Sequence, residues 1–521
     1  AGQMLRDVLE LKERDPDDLG ADLLAAVRAH APDQLPWAPL LADVVRANVP
    51  DTAETQALAE DFRQQALHDA VIATLDEVLA GPAVIVIEDS QWADDSSRQL
   101  FAAVATDLAS RPWLLITLRS ADEGAPLDED LPALVIGPLE EEAAIRLVSA
   151  IAGDETPLPF AEEIARRSGG NPFYIVELAR SATSFEANEL PESIEAVTLA
   201  RIDKLRQTDR RLLRYASVFG ETFAVDLLAD ALPDIAPSVD DPEIWARLDE
   251  FLDTSSVGKV RFRQMIVRDV AYAGLPFRRR AEIHLAIAEA LERRARRRPQ
   301  RFAEAMSLHF DRAEAWERSW TYSCMAGDRA AKKMAHVEAM RIYRRGLRAA
   351  EHAAADSAEV LRIEEALGDA AEHLGLMSES EEAYDRCLAA DVETTTAGRL
   401  LRKKGLLYVE SGNIERGREL LSESLETLRA GNDSDEIVKA EMEAMTVMAG
   451  LHFRLAEFNE TVDWCTRAIE LAGDTHRGEL AHALYIRSLA HTHLGGETGI
   501  PDGQRSLELY EETGDLVGQT K

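Results

Sequence analysis

Two short apolar segments interrupt a chain whose hydrophobic residues otherwise follow helical spacing. The first, AVIVI at 83–87, follows Gly81-Pro82, and the second is WLLITLRS at 113–120. Continuous apolar runs of this length are typical of strands that are buried on both faces. The spacing at 95–109 between them is helical, and a strand–helix–strand unit of this size requires parallel strands. The sequence therefore predicts a domain built on a small parallel sheet.

Helices account for the remainder, so the predicted fold class is α/β followed by all-α. Amphipathic helices precede the first strand, and together with the sheet they form the C-terminal part of an α/β domain at 1–137. Proline and glycine separate the helices of 138–205, a pattern that predicts a helical lid. Three short helical patterns and the β segment VGKVRFR predict a winged helix at 206–277. Only helices are predicted at 278–521.

The long helical region contains an internal repeat. Paired positions recur at Leu367-Gly368, Lys404-Gly405 and Met448-Ala449, and a second helix follows each of them. The spacings of 37 and 44 residues exceed the roughly 34 of an ideal tetratricopeptide repeat (TPR). We therefore predict a TPR-like α-solenoid, in which each pair of antiparallel helices buries apolar surface against the next pair.

The charge balance argues against nucleic acid as a direct partner. The chain of 521 residues has 95 acidic and 58 basic side chains and a formal net charge of −37, which repels polyanions and anionic lipid. The arginines at 278–280 and 293–301 are exceptions, but their helical spacing favours solvated faces that pair with acids over a phosphate patch. No apolar run approaches the roughly 20 residues that span a bilayer, so no membrane contact is expected.

Cysteine usage and the two ends of the sequence suggest a cytoplasmic fragment. Cys324, Cys387 and Cys465 lie far apart in helical patterns, which predicts buried thiols in a reducing compartment and no disulfide framework or zinc cluster. The first residues lack a start Met and a signal-type apolar stretch, so the sequence is expected to open in mid-protein. The last predicted repeat lacks a polar capping helix, so the array is expected to continue.

Adjacent acids at the end of the first strand are the main chemical signal. Glu88 and Asp89 directly follow AVIVI. In a Walker B element, one such carboxylate holds the Mg²⁺ that bridges phosphate oxygens, and its neighbour polarises the attacking water. An acidic pair alone is more often a solvated strand end, so the assignment depends on the surrounding sequence.

The surrounding sequence resembles the signature of STAND ATPases, AAA-type proteins attached to bacterial class III adenylate or guanylate cyclases and to LuxR-type regulators. VIVIEDSQWADDSS is similar to the family pattern hhhhED-x-HWxD-xxS. Further along, LLITLRS resembles the sensor strand, RSGGNPFYIVEL the lid motif, and FRQMIVRDVAYAGLPFRRRAEIH the winged-helix passage. The actinobacterial cyclase-linked branch is most similar, and the resemblance covers roughly residues 1–350.

The resemblance implies a module that binds ATP or ADP with Mg²⁺. It implies five site residues: Glu88 as metal ligand, Asp89 as catalytic residue, Arg119 as sensor of the γ-phosphate, and Gly170 and Pro172 in a turn that packs on the adenine. Two of these assignments have structural alternatives. For Arg119 the alternative is an ordinary surface arginine. For Asn171-Pro172 it is a helix-initiating turn, because proline favours the first helical position.

Three departures from the family pattern limit the assignment. The family's two histidines are replaced by Gln91 and Gln264, which removes two titratable groups. No G-x-x-x-x-G-K-[ST] occurs in the chain, since Gly258-Lys259 is followed by Val260. The phosphate cradle of a P-loop NTPase is therefore missing. We expect a truncated nucleotide domain whose P-loop lies upstream.

Three functions remain open at this stage. The first is a regulatory switch set by ATP, whose TPR-like repeats bind a protein partner or effector and which could form a homo-oligomer. The parent protein would then be an ATPase linked to a cyclase, although no cyclase segment occurs in this chain. The second is a LuxR-type transcriptional regulator whose DNA-binding domain lies elsewhere. The third is an interaction scaffold with no working nucleotide site.

Overall fold

The structure is a computed structural model that describes residues 2–11, 16–58, 60–79, 81–88, 90–93, 95–119, 133–153, 157–181, 193–239, 241–254, 258–296, 298–431, 434–473, 475–495, 499–515 and 518–519. The strands are β1 (Ala83–Ile87), β2 (Trp113–Thr117), β3 (Thr222–Ala224), β4 (Leu252–Asp253) and β5 (Lys259–Phe262). The helices up to the predicted winged helix are α1 (Gly2–Val8), α2 (Pro16–His30), α3 (Ala38–Val45), α4 (Ala53–Gln56), α5 (Glu60–Val78), α6 (Asp95–Asp107), α7 (Glu141–Ala152), α8 (Leu158–Arg167), α9 (Pro172–Ser181) and α10 (Ile194–Lys204).

The later helices are α11 (Gln207–Ala216), α12 (Val225–Ala231), α13 (Ala236–Val239), α14 (Pro242–Leu248), α15 (Met265–Ala273), α16 (Phe277–Arg294), α17 (Ala303–Arg312), α18 (Trp316–Lys332), α19 (His336–Ala350), α20 (Ser357–His373), α21 (Met377–Leu388), α22 (Thr394–Glu410), α23 (Ile414–Arg429), α24 (Asp435–Arg454), α25 (Phe458–Ala472), α26 (Arg477–His493) and α27 (Ile500–Thr513). The chain divides into two compact units. The first comprises 1–130, 330–340 and 361–521, and the second comprises 131–329 and 341–360.

The predicted parallel sheet is present in the first unit. Strands β1 and β2 pair in parallel, with Ala83 opposite Trp113 and Ile87 opposite Thr117. Every second side chain of the two strands, including Ile85 and Trp113, packs into a core with helices α1, α2, α3, α5 and α6. The sequence prediction of one strand–helix–strand unit is therefore confirmed.

The opposite face of this sheet contradicts the prediction that both strands are buried on both faces. Val84, Val86, Leu114 and Ile116 are between 37% and 62% exposed. None of the described residues of the first unit covers them, because α6 and the N-terminal helices all pack on the other side. Parallel sheets are almost always covered on both faces. The apolar face formed by these four residues is therefore an exception among parallel sheets.

The second unit contains the predicted lid helices and a small mixed domain. Helices α7, α8 and α9 pack around buried apolar residues such as Val148, Ile164 and Ile175. The region that follows combines α11, α12 and α14 with an antiparallel sheet of order β3-β5-β4, and β5 falls within the predicted wing segment. Its identity as a winged helix stays a prediction.

The helical repeats are confirmed, and the same inter-helix contact occurs in two of them. A Cβ on Gly368 of α20 would lie 2.6 Å from the Tyr384 ring of α21, so glycine is needed where the two helices touch. The Tyr384 hydroxyl donates to Asp369, 2.7 Å away. Gly327 and Tyr343 make the same contact in α18 and α19, and the Tyr343 hydroxyl donates to Asp328 at 2.9 Å. The sequence prediction missed this earlier repeat.

Replacing Gly368 by alanine is expected to destabilise the array, although alanine is normally the better helix former. The added methyl group would overlap Tyr384, and overpacking of this kind costs about 1–3 kcal/mol. The matched control is Gly450→Ala in α24, where a Cβ meets no atom within 4 Å. That variant should gain about 0.5–1 kcal/mol from helix propensity. Urea unfolding followed by circular dichroism measures both changes, and equal effects of the two substitutions would contradict the contact.

The cysteines and the arginine-rich helices follow the sequence predictions. All three cysteines are free and buried, and burial raises the pKa of the Cys387 and Cys465 thiols to about 12. Basic side chains of α16 pair with acids: Arg279 with Glu282 at 2.9 Å, and Arg294 with an aspartate of α12 at 3.0 Å. Within the described ranges, no helix is long and apolar enough to cross a membrane.

A buried histidine, His284, and its half-buried neighbour His309 make the second unit sensitive to acid. The Nδ1 atoms of His284 and His309 lie 2.8 Å apart, so one ring must accept and stay neutral, and the Tyr272 hydroxyl lies 3.0 Å from His284 Nε2. Burial, with smaller effects of Arg312, Arg268 and Arg280, lowers the pKa of His284 to about 4. Burial, and then the charge of His284, lowers the pKa of His309 to about 3.

The second unit should lose stability as pH falls from 6.5 toward 4. Below pH 6.5 the unfolded histidines bind protons that the folded ones exclude, so the loss begins at the ordinary pKa and levels off near the folded pKa. One histidine accounts for about 2 kcal/mol between pH 6.5 and 5. Hydrogen exchange of α16 amides against pH measures the slope, which His309→Gln should reduce. The control is the same substitution at the exposed His30, which should leave the slope unchanged. An unchanged slope in His309→Gln would refute the assignment of the acid sensitivity to this histidine pair.

Candidate functional site

The carboxyl ends of β1 and β2 place the backbone of two predicted site residues at the same edge of the sheet. The strand pairing continues beyond both strands: the Leu118 N–H donates to the Ile87 carbonyl at 2.8 Å, and the Ser90 N–H donates to the Leu118 carbonyl at 2.9 Å. Glu88 therefore lies beside Leu118, and Arg119 is the next residue on the neighbouring strand. The side chains of Glu88 and Arg119 are both exposed at this edge. Asp89 lies outside the described residues.

This edge has the donor types that a metal–phosphate ligand requires. A carboxylate such as Glu88 is a hard oxygen ligand for Mg²⁺, which usually keeps several waters and binds only one or two protein carboxylates. The guanidinium of Arg119 offers parallel N–H donors that match phosphate oxygens. No cluster of three or more acidic, histidine or cysteine residues is assembled for a metal among the described residues. One carboxylate and one guanidinium at the same edge are a donor set that suits a metal–phosphate ligand.

The two site residues predicted in the lid motif lie at a tight turn in the second unit. Gly170 has φ +76°, its carbonyl accepts from the Leu139 N–H at 2.8 Å, and a Cβ there would strike the Leu139 carbonyl. Asn171 Oδ1 accepts from the Tyr174 N–H at 3.2 Å and caps α9, whose first residue is Pro172. The helix-initiating role of Asn171-Pro172 is therefore confirmed. The contact of Gly170 and Pro172 with an adenine ring stays a prediction.

A buried ion-pair cluster beside the lid motif was not predicted from the sequence. Arg201 of α10 bridges Glu177 of α9 and Glu250, which follows α14, and its guanidinium lies 5.0 Å from the Phe251 ring centre. Glu177 is only 2% exposed. The one available signal was its place in the run IVELA, where an acid interrupts an apolar helix face. The cluster joins the lid helices to the region with the antiparallel sheet.

Comparison with known proteins identifies low similarities only. No family model matches the chain. An uncharacterized protein of Rhizobium meliloti (strain 1021) is 25% identical over 323 residues, which are 57% of this chain and 31% of that protein. The chain thus spans about a third of the length of the curated relative it matches.

Solved structures with a similar arrangement include a STAND protein with a tetratricopeptide repeat sensor from Pyrococcus horikoshii. It is 14% identical with a TM-score of 0.41, over 100% of this chain and 78% of that chain. Aspartyl phosphate phosphatase F from Bacillus subtilis is 11% identical with a TM-score of 0.32, over 74% of this chain and 88% of its own. Likenesses at this level carry no functional assignment.

Proposed function

We propose that this chain is the regulatory region of a STAND-type signalling ATPase, in which bound nucleotide sets the state of the module and the repeats bind a protein partner. One observation carries the proposal: Glu88 and Arg119 follow neighbouring parallel strands and lie at the same carboxyl edge of the sheet. Ligands of open α/β sheets bind at this edge. The sequence around both residues supports the assignment.

Each residue of the edge would have a separate task. Glu88 would hold Mg²⁺, which neutralises phosphate charge, and Arg119 would donate to the terminal phosphate and so distinguish ATP from ADP. Asp89 would polarise the attacking water. The region 206–277 would act as a winged helix that responds to the nucleotide state, and the output domain, cyclase-like or otherwise, would belong to a longer cytoplasmic protein.

The phosphate cradle would come from residues beyond these 521. The exposed apolar face formed by Val84, Val86, Leu114 and Ile116 supports this part of the proposal, because an uncovered parallel sheet face is unusual in a finished domain. A segment with a glycine-rich phosphate-binding loop and its own helices would cover that face and complete the site.

Isothermal titration with Mg-ATP tests the proposed function. We expect micromolar, Mg-dependent binding by an extended protein that also contains the proposed phosphate-binding segment, and no measurable binding by the 521-residue chain. Backbone N–H groups and the lysine of the loop supply most of the phosphate contacts, so Glu88 and Arg119 alone are insufficient. Tight binding by the 521-residue chain, or a preceding segment without such a loop, would overturn the proposal and leave a scaffold.

A further inference from the structure

A cavity opens on one face of the helical repeats in the first unit. Helices α22, α24 and α26, each the first helix of a repeat, lie side by side. The cavity between them has a volume of about 320 Å³, and its lining includes Leu406, Val447, Gly450, Ile486, Arg454 and His482. The lining is apolar at its centre and basic at its end.

Ion pairs close the same face of the repeats before the cavity begins. Arg402 of α22 binds Glu443 of α24 at 2.9 Å, and Lys439 of α24 binds Glu479 of α26 at 3.1 Å. The two charges within each pair neutralise each other, and the pairs link the three helices. Further along α24 the helix contacts are apolar and the space between the helices is empty.

Gly450 is the residue that keeps this space open. A glycine inside a helix is destabilising, so it usually has a packing reason. At Gly368 and Gly405 that reason is visible, because a Cβ would press on a side chain of the partner helix. At Gly450 a Cβ would meet no atom within 4 Å. No packing contact therefore requires glycine at this position, and its missing side chain leaves the cavity wider.

Arg454 places a positive charge at the end of the cavity. It is the last residue of α24, one helical turn beyond Gly450, and its side chain is exposed. In the described part of the chain no carboxylate forms an ion pair with it, although acidic residues outnumber basic ones by 95 to 58. A carboxylate on a ligand would be its natural partner.

We propose that this cavity binds an extended peptide segment of a partner protein, with an apolar side chain inside it and a carboxylate at Arg454. Four residues of helix separate Gly450 from Arg454, a rise of about 6 Å. Two residues of an extended peptide cover nearly the same distance, about 6.6 Å. The recognised pattern is therefore apolar–x–acidic. This proposal deepens the partner binding assigned to the repeats and does not depend on the nucleotide site.

Fluorine NMR with labelled peptides tests the inference on the complete 521-residue chain. The probe is the acetylated peptide GSGFGDGSG with 4-fluorophenylalanine at its single Phe, and the comparison peptide has Asn in place of Asp. We expect line broadening in the millimolar range, at least about 10-fold weaker binding when Ala replaces Phe in a competing peptide, and about 3-fold weaker binding of the Asn peptide.

Two protein variants test the apolar cavity and the positive charge of Arg454 separately. Gly450→Leu should abolish binding by filling the cavity, and Arg454→Ala should bind the Asp and Asn peptides equally. Arg454 is exposed, so its substitution keeps the fold even if Gly450→Leu lowers the melting temperature. The proposal is overturned if the Phe and Ala peptides compete equally, or if 4-fluorophenylacetate binds as tightly as the peptide. A missing nucleotide site would leave all these results unchanged.

Discussion

Arg201→Met should lower the free energy of unfolding of the second unit by about 3–5 kcal/mol, because it leaves a buried charge without a partner. Glu177 is almost completely buried, and Arg201 is the cation that neutralises it. Methionine keeps the apolar stem against Phe251, so the substitution removes mainly the charge. Hydrogen exchange of the amides in α9 and α10 measures the loss where it should occur.

Two further variants separate the buried charge from the exposed one. Glu250 is 52% exposed, so Glu250→Gln should cost less than about 1 kcal/mol. The double variant with Arg201→Met and Glu177→Leu should recover most of the stability, because replacing both partners removes the unpaired charge. A loss below about 1 kcal/mol in Arg201→Met would show that Glu177 is not the buried, charged group described above.

Asp89→Asn should slow ATP hydrolysis by the extended protein about 10²-fold, with little effect on ATP affinity. Adjacent residues of a strand point to opposite faces, so the two acids should separate into different roles. Glu88→Gln is expected to weaken Mg-dependent ATP binding instead, because it removes a charge from the metal ligand set. Steady-state turnover and nucleotide titration of both variants measure the difference.

The same pair of variants tests whether hydrolysis controls signalling. An Asp89→Asn protein that hydrolyses ATP slowly would accumulate in its ATP-bound state. Its signalling output should then shift toward the level of that state, because a switch responds to the populations of its states. Glu54→Gln, on the exposed surface of α4, is the control for loss of an acid. If turnover is unchanged in both site variants, the acidic pair is only a polar strand end.

The parts of the fold that depend on local sequence could be predicted, and those that depend on distant contacts could not. The strands β1 and β2 and their parallel pairing follow from two apolar runs joined by one helix. Burial on both faces was wrong because strand composition does not reveal what covers a sheet. The Arg201 cluster joins residues 24 and 49 positions away, and charge alone does not pair them.

The glycines of the repeats also show that features depending on distant contacts cannot be predicted from local sequence. The repeat pattern marks Gly368 as a recurring position, and in the structure this glycine packs against Tyr384. The repeat pattern gives no reason to distinguish Gly450, because whether space around a helical glycine is filled or empty depends on three helices from different repeats. Glu88 and Arg119 were foreseeable, since consecutive parallel strands end at one edge of the sheet.

The affinities of the extended protein for ATP and ADP test most directly whether the carboxyl edge of β1 and β2 senses the nucleotide. The wild type should bind Mg-ATP more tightly than Mg-ADP. Arg119→Ala should weaken Mg-ATP about 10-fold and leave Mg-ADP nearly unchanged, because a hydrogen bond to a charged group contributes about 1.5–3 kcal/mol. Arg6→Ala, in α1, is the control and should change neither affinity. If Arg119→Ala keeps the wild-type ratio of the two affinities, Arg119 is a surface arginine and the edge does not sense the terminal phosphate.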